Sequence, residues 1–150
     1  MTSTLFGSPT TSTRQSVTLL IGRLALGVVL IAHGWQKFFT YGIAGVTGSF
    51  EQMGIPAPGA AAIFAASVEL IGGILLIVGL LVRVVGLLVA VDMAGALFFV
   101  HARNGVFVDA GGYELVLVIG ALGIIFAGLG AGGYALDRLI AGTKRAAANA

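Results

Sequence analysis

Two ionisable side chains end the first long apolar run of the chain. His33 and Lys37 lie four residues apart in the stretch LIAHGWQKFF (30–39), so on a helix they share one face. Histidine exchanges a proton near neutral pH, and an ammonium group donates hydrogen bonds. The spacing therefore predicts that the apolar run carries both groups into a polar pocket. In the alternative interpretation, Lys37 extends to a membrane surface and His33 makes a single local hydrogen bond.

The composition identifies the medium around these two residues. Hydrophobic residues make up 58% of the 150-residue chain, and the mean hydropathy is +1.06. Only 9% of residues are charged, against about 25% in a typical soluble domain. This composition indicates a membrane protein that lies in a lipid bilayer. The formal charge of +2 is too small to indicate a nucleic-acid partner.

The chain has no cysteine. This excludes disulfide bonds, a thiol nucleophile, a thiolate-bound iron–sulfur cluster and a c-type haem attachment. Any redox role must therefore depend on groups other than protein sulfur.

Four continuous apolar runs predict an all-α, four-helix transmembrane bundle, at 17–39, 59–82, 84–101 and 113–131. Each approaches the roughly 20 residues that a helix needs to cross a bilayer. The predicted segments are a disordered N-terminal tail (1–16), the transmembrane domain (17–135) and a basic C-terminal tail (136–150). Between the first two spans, apolar residues recur at helical spacing and predict a short interfacial helix, with a glycine-rich loop as the alternative: Ile43, Val46, Phe50 and Met53.

The basic residues outside the spans predict the orientation. One side holds five of them, and the other holds only Lys37 and Arg103: Arg14, Arg83, Arg138, Lys144 and Arg145. Because cytoplasmic loops are rich in lysine and arginine, both termini are expected in the cytoplasm. The 24 glycines predict close packing between the helices.

Charged groups within apolar runs are costly, and they face the interior of a bundle by default. Depth along the helices predicts that five of them converge in the outer third: His33, Lys37, Glu69, His101 and Glu114. In this hypothesis Glu69, His33 and Glu114 handle protons. Lys37 and His101 bind the substrate.

Arg23 lies deeper, at about 9 Å from the cytoplasmic boundary, and Asp92 lies at about 12 Å. These depths allow an Arg23–Asp92 ion pair. Because Asp92 points away from His101 on its helix, the alternative is that it faces a second protomer or a different neighbour, and in either case it is predicted to lie outside the polar site. Arg23 and Arg83 are predicted to be structural charges, with Arg83 in the tight turn between the second and third spans.

Five motifs in order resemble the DoxX family of small four-helix bacterial membrane proteins: RLALGVVLIAHGWQKFF, GSFEQMGIPAP, VELIGGILLIVGLLVR, MAGALFFVH and GGYE. The resemblance covers residues 18 to 135. It falls on Arg23, His33, Gly34, Lys37, Gly54, Pro56, Glu69, Gly73, Arg83, His101, Gly111, Gly112 and Glu114. At Asp92 the chain departs from the family, which is usually apolar there.

The resemblance implies a multi-pass protein of the bacterial cytoplasmic (inner) membrane with a link to membrane oxidoreduction. Relatives include subunits of thiosulfate:quinone oxidoreductase, and others are linked to redox detoxification under redox stress. The first functional hypothesis is a quinone-linked redox subunit. A soluble or peripheral redox enzyme would supply the electrons, because the chain has no redox centre of its own.

Two alternatives stay open beside the quinone hypothesis. One is a non-catalytic membrane scaffold that recruits redox enzymes, and the other is a b-type haem held by His33 and His101. The sequence predicts no metal site, since no ligand spacing favours one. A homo-oligomer is compatible with all three hypotheses.

Overall fold

The computed structural model describes residues 12–141, and within this range the chain folds entirely into helices and their connections. The main helices are α1 (Thr13–Trp35), α2 (Gly42–Gln52), α3 (Pro58–Val78), α4 (Val82–Ala96) and α5 (Glu114–Leu129). Two of them continue into single π-helical segments, Gln36–Thr40 after α1 and Leu97–His101 after α4. A 3₁₀ turn (Val108–Ala110) lies in the α4–α5 loop, and residues 136–141 are again helical.

Three helical segments are long and apolar enough to cross a membrane: Thr13–Thr40, Pro58–Val78 and Val82–His101. The fourth predicted span corresponds to α5, which has 16 residues and is therefore about 24 Å long. Gly130 ends this helix with a backbone φ of +79°. The chain is thus a multi-pass membrane protein with three to four candidate spans, and the helix predicted between the first two spans is present as α2.

Large apolar side chains cover the outside of the bundle, as expected of a surface that faces lipid. Ile21, Val28, Leu87 and Ile124 are each more than half exposed. A soluble protein rarely presents so much continuous apolar surface to water. The outer surface of the bundle therefore contacts the lipid bilayer.

Pairs of glycines set the helix spacing. A Cβ atom on Gly27 would lie 2.8 Å from the carbonyl oxygen of Gly73, so α1 and α3 are in backbone contact. The same holds for α4 and α5, where a Cβ on Gly86 would lie 2.6 Å from the carbonyl oxygen of Gly123. The prediction that glycines allow close helix packing is confirmed at these two crossings.

Adding one methyl group at the α4–α5 crossing should lower stability. Gly86→Ala forces the two helices apart, and we expect a loss of about 1–3 kcal/mol in the free energy of unfolding. Gly95→Ala on the same helix is the matched control, because a Cβ there has no neighbour within 4 Å. Thermal unfolding in detergent compares the two variants. Equal melting temperatures would contradict the close crossing.

The turn between α3 and α4 consists of residues 79–81, and Arg83 lies in the first turn of α4. The prediction that Arg83 forms this turn is therefore wrong. Gly79 ends α3 with φ +77°, and Leu81 adopts φ +54° before α4 begins. The carboxylate of Asp137 accepts hydrogen bonds from the backbone N–H groups of Leu81 (2.8 Å) and Val82 (3.2 Å). Asp137 therefore caps α4 from a distant part of the chain.

Both ends of the described chain pack onto the bundle. Helix α1 begins at Thr13, inside the predicted tail, because Ser12 caps it by accepting a hydrogen bond from the Gln15 N–H. Ser16 is buried and accepts a hydrogen bond from the Gly133 N–H. Asp137, within the predicted C-terminal tail, is only 3% exposed. The remainder of the predicted tails, residues 1–11 and 142–150, lies outside the described residues.

Candidate functional site

An ion pair between α1 and α3 forms the centre of the site. The Lys37 Nζ donates a hydrogen bond to Glu69 Oε2 at 2.5 Å. The Glu69 side chain is 7% exposed and that of Lys37 is 21% exposed. Two of the predicted site residues are thus brought together inside membrane-spanning helices, where each charge needs a partner.

The packing of α1 on α3 explains why the pair forms. A Cβ on Gly34 would collide with the backbone of Leu70, so these two residues lie level with each other. Lys37 is almost one turn above Gly34 on α1, in the π-helical segment. Its side chain points back towards the helix N-terminus, and therefore reaches Glu69. The alternative in which Lys37 extends to the membrane surface is not what the structure shows.

Asp92 belongs to the same cluster, and the prediction that excluded it is wrong. Asp92 is 9% exposed, and its carboxyl group interacts electrostatically with both Glu69 and Lys37. Oδ2 of Asp92 is buried and has no hydrogen-bond partner within residues 12–141. We call Lys37, Glu69 and Asp92 the polar cluster.

The helix boundaries account for the error. Glu69 lies nine residues before the end of α3 at Val78, and Asp92 lies ten residues after the start of α4 at Val82. These separations place the two carboxyl groups at similar heights, about 14 and 15 Å above the connecting turn. The predicted second span extended to residue 82, and this placed Glu69 too far above the connecting turn to lie level with Asp92.

The predicted Arg23–Asp92 ion pair is absent from the described residues. The Arg23 guanidinium is 0% exposed and donates from Nη1 to the Leu76 carbonyl oxygen (2.8 Å) and from Nη2 to that of Tyr134 (2.5 Å). Asp137 is its electrostatic partner. Arg23 therefore joins α1 to the end of α3 and to the C-terminal segment, in keeping with a structural charge.

Arg83 lies close to the same end of the bundle. Its Nε atom is buried with no hydrogen-bond partner among residues 12–141. A Cβ on Gly130 would lie 3.1 Å from this atom, so the Arg83 side chain packs against the chain where α5 ends.

His101 and Glu114 organise the α4–α5 loop. His101 Nδ1 is 2.6 Å from the Gly111 carbonyl oxygen, and Glu114 Oε1 accepts a hydrogen bond from the Val108 N–H at 2.7 Å. Within residues 12–141, no hydrogen bond or ion pair joins either side chain to Lys37 or Glu69. Their predicted substrate-binding and proton-handling roles remain predictions.

His33 lies one turn below Lys37 on α1 and is half-buried. In the described part of the chain its ring has no hydrogen-bond partner. The same residues contain no group of three or more His, Asp or Glu side chains that could hold a metal ion. The chemistry available is thus hydrogen bonding and proton exchange by one ammonium, two carboxyl groups and one nearby imidazole.

Comparison with known proteins shows the family. The DoxX family profile matches residues 18–102. An uncharacterized protein of Haemophilus influenzae is 36% identical over 118 residues, covering 77% of this chain and 84% of its own. An uncharacterized membrane protein of Mycobacterium tuberculosis is 33% identical over 138 residues, covering 84% of this chain and 82% of its own.

A third relative, from Bacillus subtilis, carries the name "Putative oxidoreductase CatD". It is 36% identical over 86 residues, covering 57% of this chain and 60% of its own. No solved structure matches the chain. The family profile covers more than half of the chain, and the first two relatives exceed 30% identity over most of their length. On these matches, the chain belongs to the DoxX family.

Proposed function

We propose that this chain is an inner-membrane subunit of a quinone-linked oxidoreduction system, and that the polar cluster binds the quinone head group. The observation that carries the proposal is the Lys37–Glu69 ion pair within spanning helices. Lys37 has three N–H donors and uses one on Glu69. Two donors are left for a ligand, and the side chain is partly accessible.

A quinone head group matches these donors. Its two carbonyl oxygens accept hydrogen bonds, and an adjacent cation stabilises the negative charge that develops on them during reduction. The head group is carried by a lipid-soluble molecule that reaches the cluster from the bilayer. His33, one turn away on α1, is a second donor for the same ligand.

The reaction needs a partner that supplies electrons. A quinone takes two electrons and two protons to become a quinol. We assign the electrons to a reduced flavin or dithiol centre of a soluble or peripheral enzyme, which is oxidised in the same step. The protons come from water by way of the cluster. The name of the Bacillus subtilis relative supports an oxidoreductase context for the family.

Quinone binding by the purified protein tests this proposal. We expect wild-type protein to retain quinone through purification and to bind an added short-chain benzoquinone or naphthoquinone. Glu69→Gln should weaken binding at least tenfold, because it removes the charge that holds Lys37 in place. Glu51→Gln is the control, since Glu51 is exposed on α2.

The other outcomes point to the alternatives. Wild-type protein without quinone affinity would contradict the proposal and favour the scaffold. A Soret band in the absorbance spectrum would favour the haem. Membranes that contain the partner enzyme give the second measurement, because Glu69→Gln should abolish quinone reduction there while Glu114→Gln only slows it.

Topology completes the proposal: four crossings with both termini in the cytoplasm. The cysteine-free chain allows single cysteines to report on each side. A cysteine at exposed Ser49 on α2 should react with an impermeant thiol reagent added outside intact cells, whereas a cysteine at exposed Ser12 should react only after lysis. The reverse pattern would contradict the orientation.

A further inference from the structure

Asp92 differs from every other carboxyl side chain of the protein. The chain has six Asp and Glu residues, and the structure describes all of them. Glu51 and Asp109 are exposed. Glu114 and Asp137 accept hydrogen bonds from backbone N–H groups, and Glu69 is paired with Lys37.

The surroundings of Asp92 disfavour a second negative charge. Lys37 and Glu69 already balance each other, so an ionised Asp92 would leave the polar cluster with a net charge of −1 inside spanning helices. No backbone N–H stabilises it, since Oδ2 is buried without a hydrogen bond among residues 12–141. An isolated buried carboxylate normally takes up a proton instead.

Among residues 12–141, no other charged or titratable group is bonded to Asp92, and His33 on α1 makes no hydrogen bond or ion pair with it. Helix α5, which packs against α4, carries only Glu114, and its carboxylate is bonded to the α4–α5 loop. On α1, the Arg23 guanidinium donates to the carbonyl groups of Leu76 and Tyr134. Arg83 lies nine positions away at the opposite end of α4. Lys37 is therefore the cation of the cluster, and it is shared by two carboxyl groups.

We infer that Asp92 is protonated at neutral pH and is the proton-exchanging group of the polar cluster. One cation with two carboxyl groups is neutral only when one carboxyl group keeps its proton, and the burial and unpaired Oδ2 of Asp92 assign that proton to it. The protonated state of Asp92 does not depend on the proposed function. Only the role in turnover rests on the proposed function.

In turnover, Asp92 would supply one of the two protons of quinol formation. Its O–H bond breaks while an O–H bond forms on the reduced quinone oxygen, and the partner enzyme has supplied the electrons. The Asp92 carboxylate that remains is stabilised by Lys37 and regains a proton from water. The second proton of the quinol also comes from water.

Infrared spectroscopy of the purified protein in lipid, with no quinone added, tests the protonated state. We expect a C=O band of a protonated carboxyl group at neutral pH that shifts in D₂O. Labelling all aspartates with ¹³C should shift this band without any substitution. Asp92→Asn should remove it, and Glu69→Gln should weaken it, because Asp92 then becomes the one carboxyl group that balances Lys37. The exposed control Glu51→Gln should retain it.

Three results would overturn the inference. They are the absence of this band in wild-type protein, a band whose position is unchanged by the aspartate label, and a band that is still present in Asp92→Asn. If Asp92→Asn fails to fold, a label-sensitive band still favours Asp92, because Asp109 is exposed and Asp137 accepts hydrogen bonds from two backbone N–H groups. A protein that shows the band but binds no quinone would keep this inference and reject the proposed function.

Discussion

Replacing Arg23 by leucine is expected to remove most of the folded protein from the membrane. Arg23 is fully buried and donates charged hydrogen bonds to the carbonyl oxygens of Leu76 and Tyr134. Each such bond contributes about 1.5–3 kcal/mol, so losing both removes a large part of the stability of a small protein, about 5–15 kcal/mol. Abundance in membranes and thermal unfolding in detergent measure the effect.

Two variants separate this role from a general effect of removing a positive charge. Arg14→Leu removes an exposed charge from the first turn of the same helix and should melt like the wild type. Arg23→Lys keeps the charge but loses the planar fork that reaches two acceptors, and it should be intermediate. A wild-type melting temperature for Arg23→Leu would show that these hydrogen bonds contribute nothing.

The cap of α4 should show a smaller effect at the same end of the bundle. Asp137→Ala leaves the N–H groups of Leu81 and Val82 without their acceptor, and we expect a loss of about 1–2 kcal/mol. Asp109→Ala, at an exposed site in the α4–α5 loop, is the control. Asp137→Asn should recover part of the stability, because its amide oxygen still accepts one bond.

The sequence predicted the helices better than their ends. Continuous apolar runs identify membrane helices strongly, and all four runs correspond to helices of the structure. The end of α3 was misplaced because Gly79 turns the chain while Leu80, Leu81 and Val82 continue the apolar signal. Hydropathy does not distinguish an apolar turn from an apolar helix. Gly79 itself was the available signal, since glycine commonly ends helices.

That single boundary changed the composition of the candidate site. With α3 ending at Val78, Glu69 lies level with Asp92. Asp92 is therefore placed beside Glu69 and is not the partner of Arg23. The acceptors that Arg23 uses instead are backbone carbonyl groups, which no residue type reveals. The sequence predicted that Lys37 and Glu69 lie in the same region of the bundle. Their direct contact depends on the register of α1 on α3, which becomes visible only in three dimensions.

The Lys37–Glu69 pair should behave as a strongly coupled unit. Lys37→Met leaves Glu69 and Asp92 in the spanning region with no cation, and removing one partner of a buried pair costs about 3–5 kcal/mol. Replacing both partners, as Lys37→Met with Glu69→Leu, leaves no unpaired charge between them. We therefore expect the double variant to be more stable than Lys37→Met alone, because an apolar pair can replace a buried ion pair at little cost.

A double-mutant cycle measured by thermal unfolding in detergent quantifies the coupling. The matched control combines Arg14→Met with Glu51→Leu, two exposed charges on α1 and α2 whose effects should simply add. If the effects of Lys37→Met and Glu69→Leu also add, the two side chains do not interact energetically. The site would then lose the fixed cation on which recognition of a quinone oxygen depends, since the contact with Glu69 is the one hydrogen bond that residues 12–141 give the Lys37 ammonium.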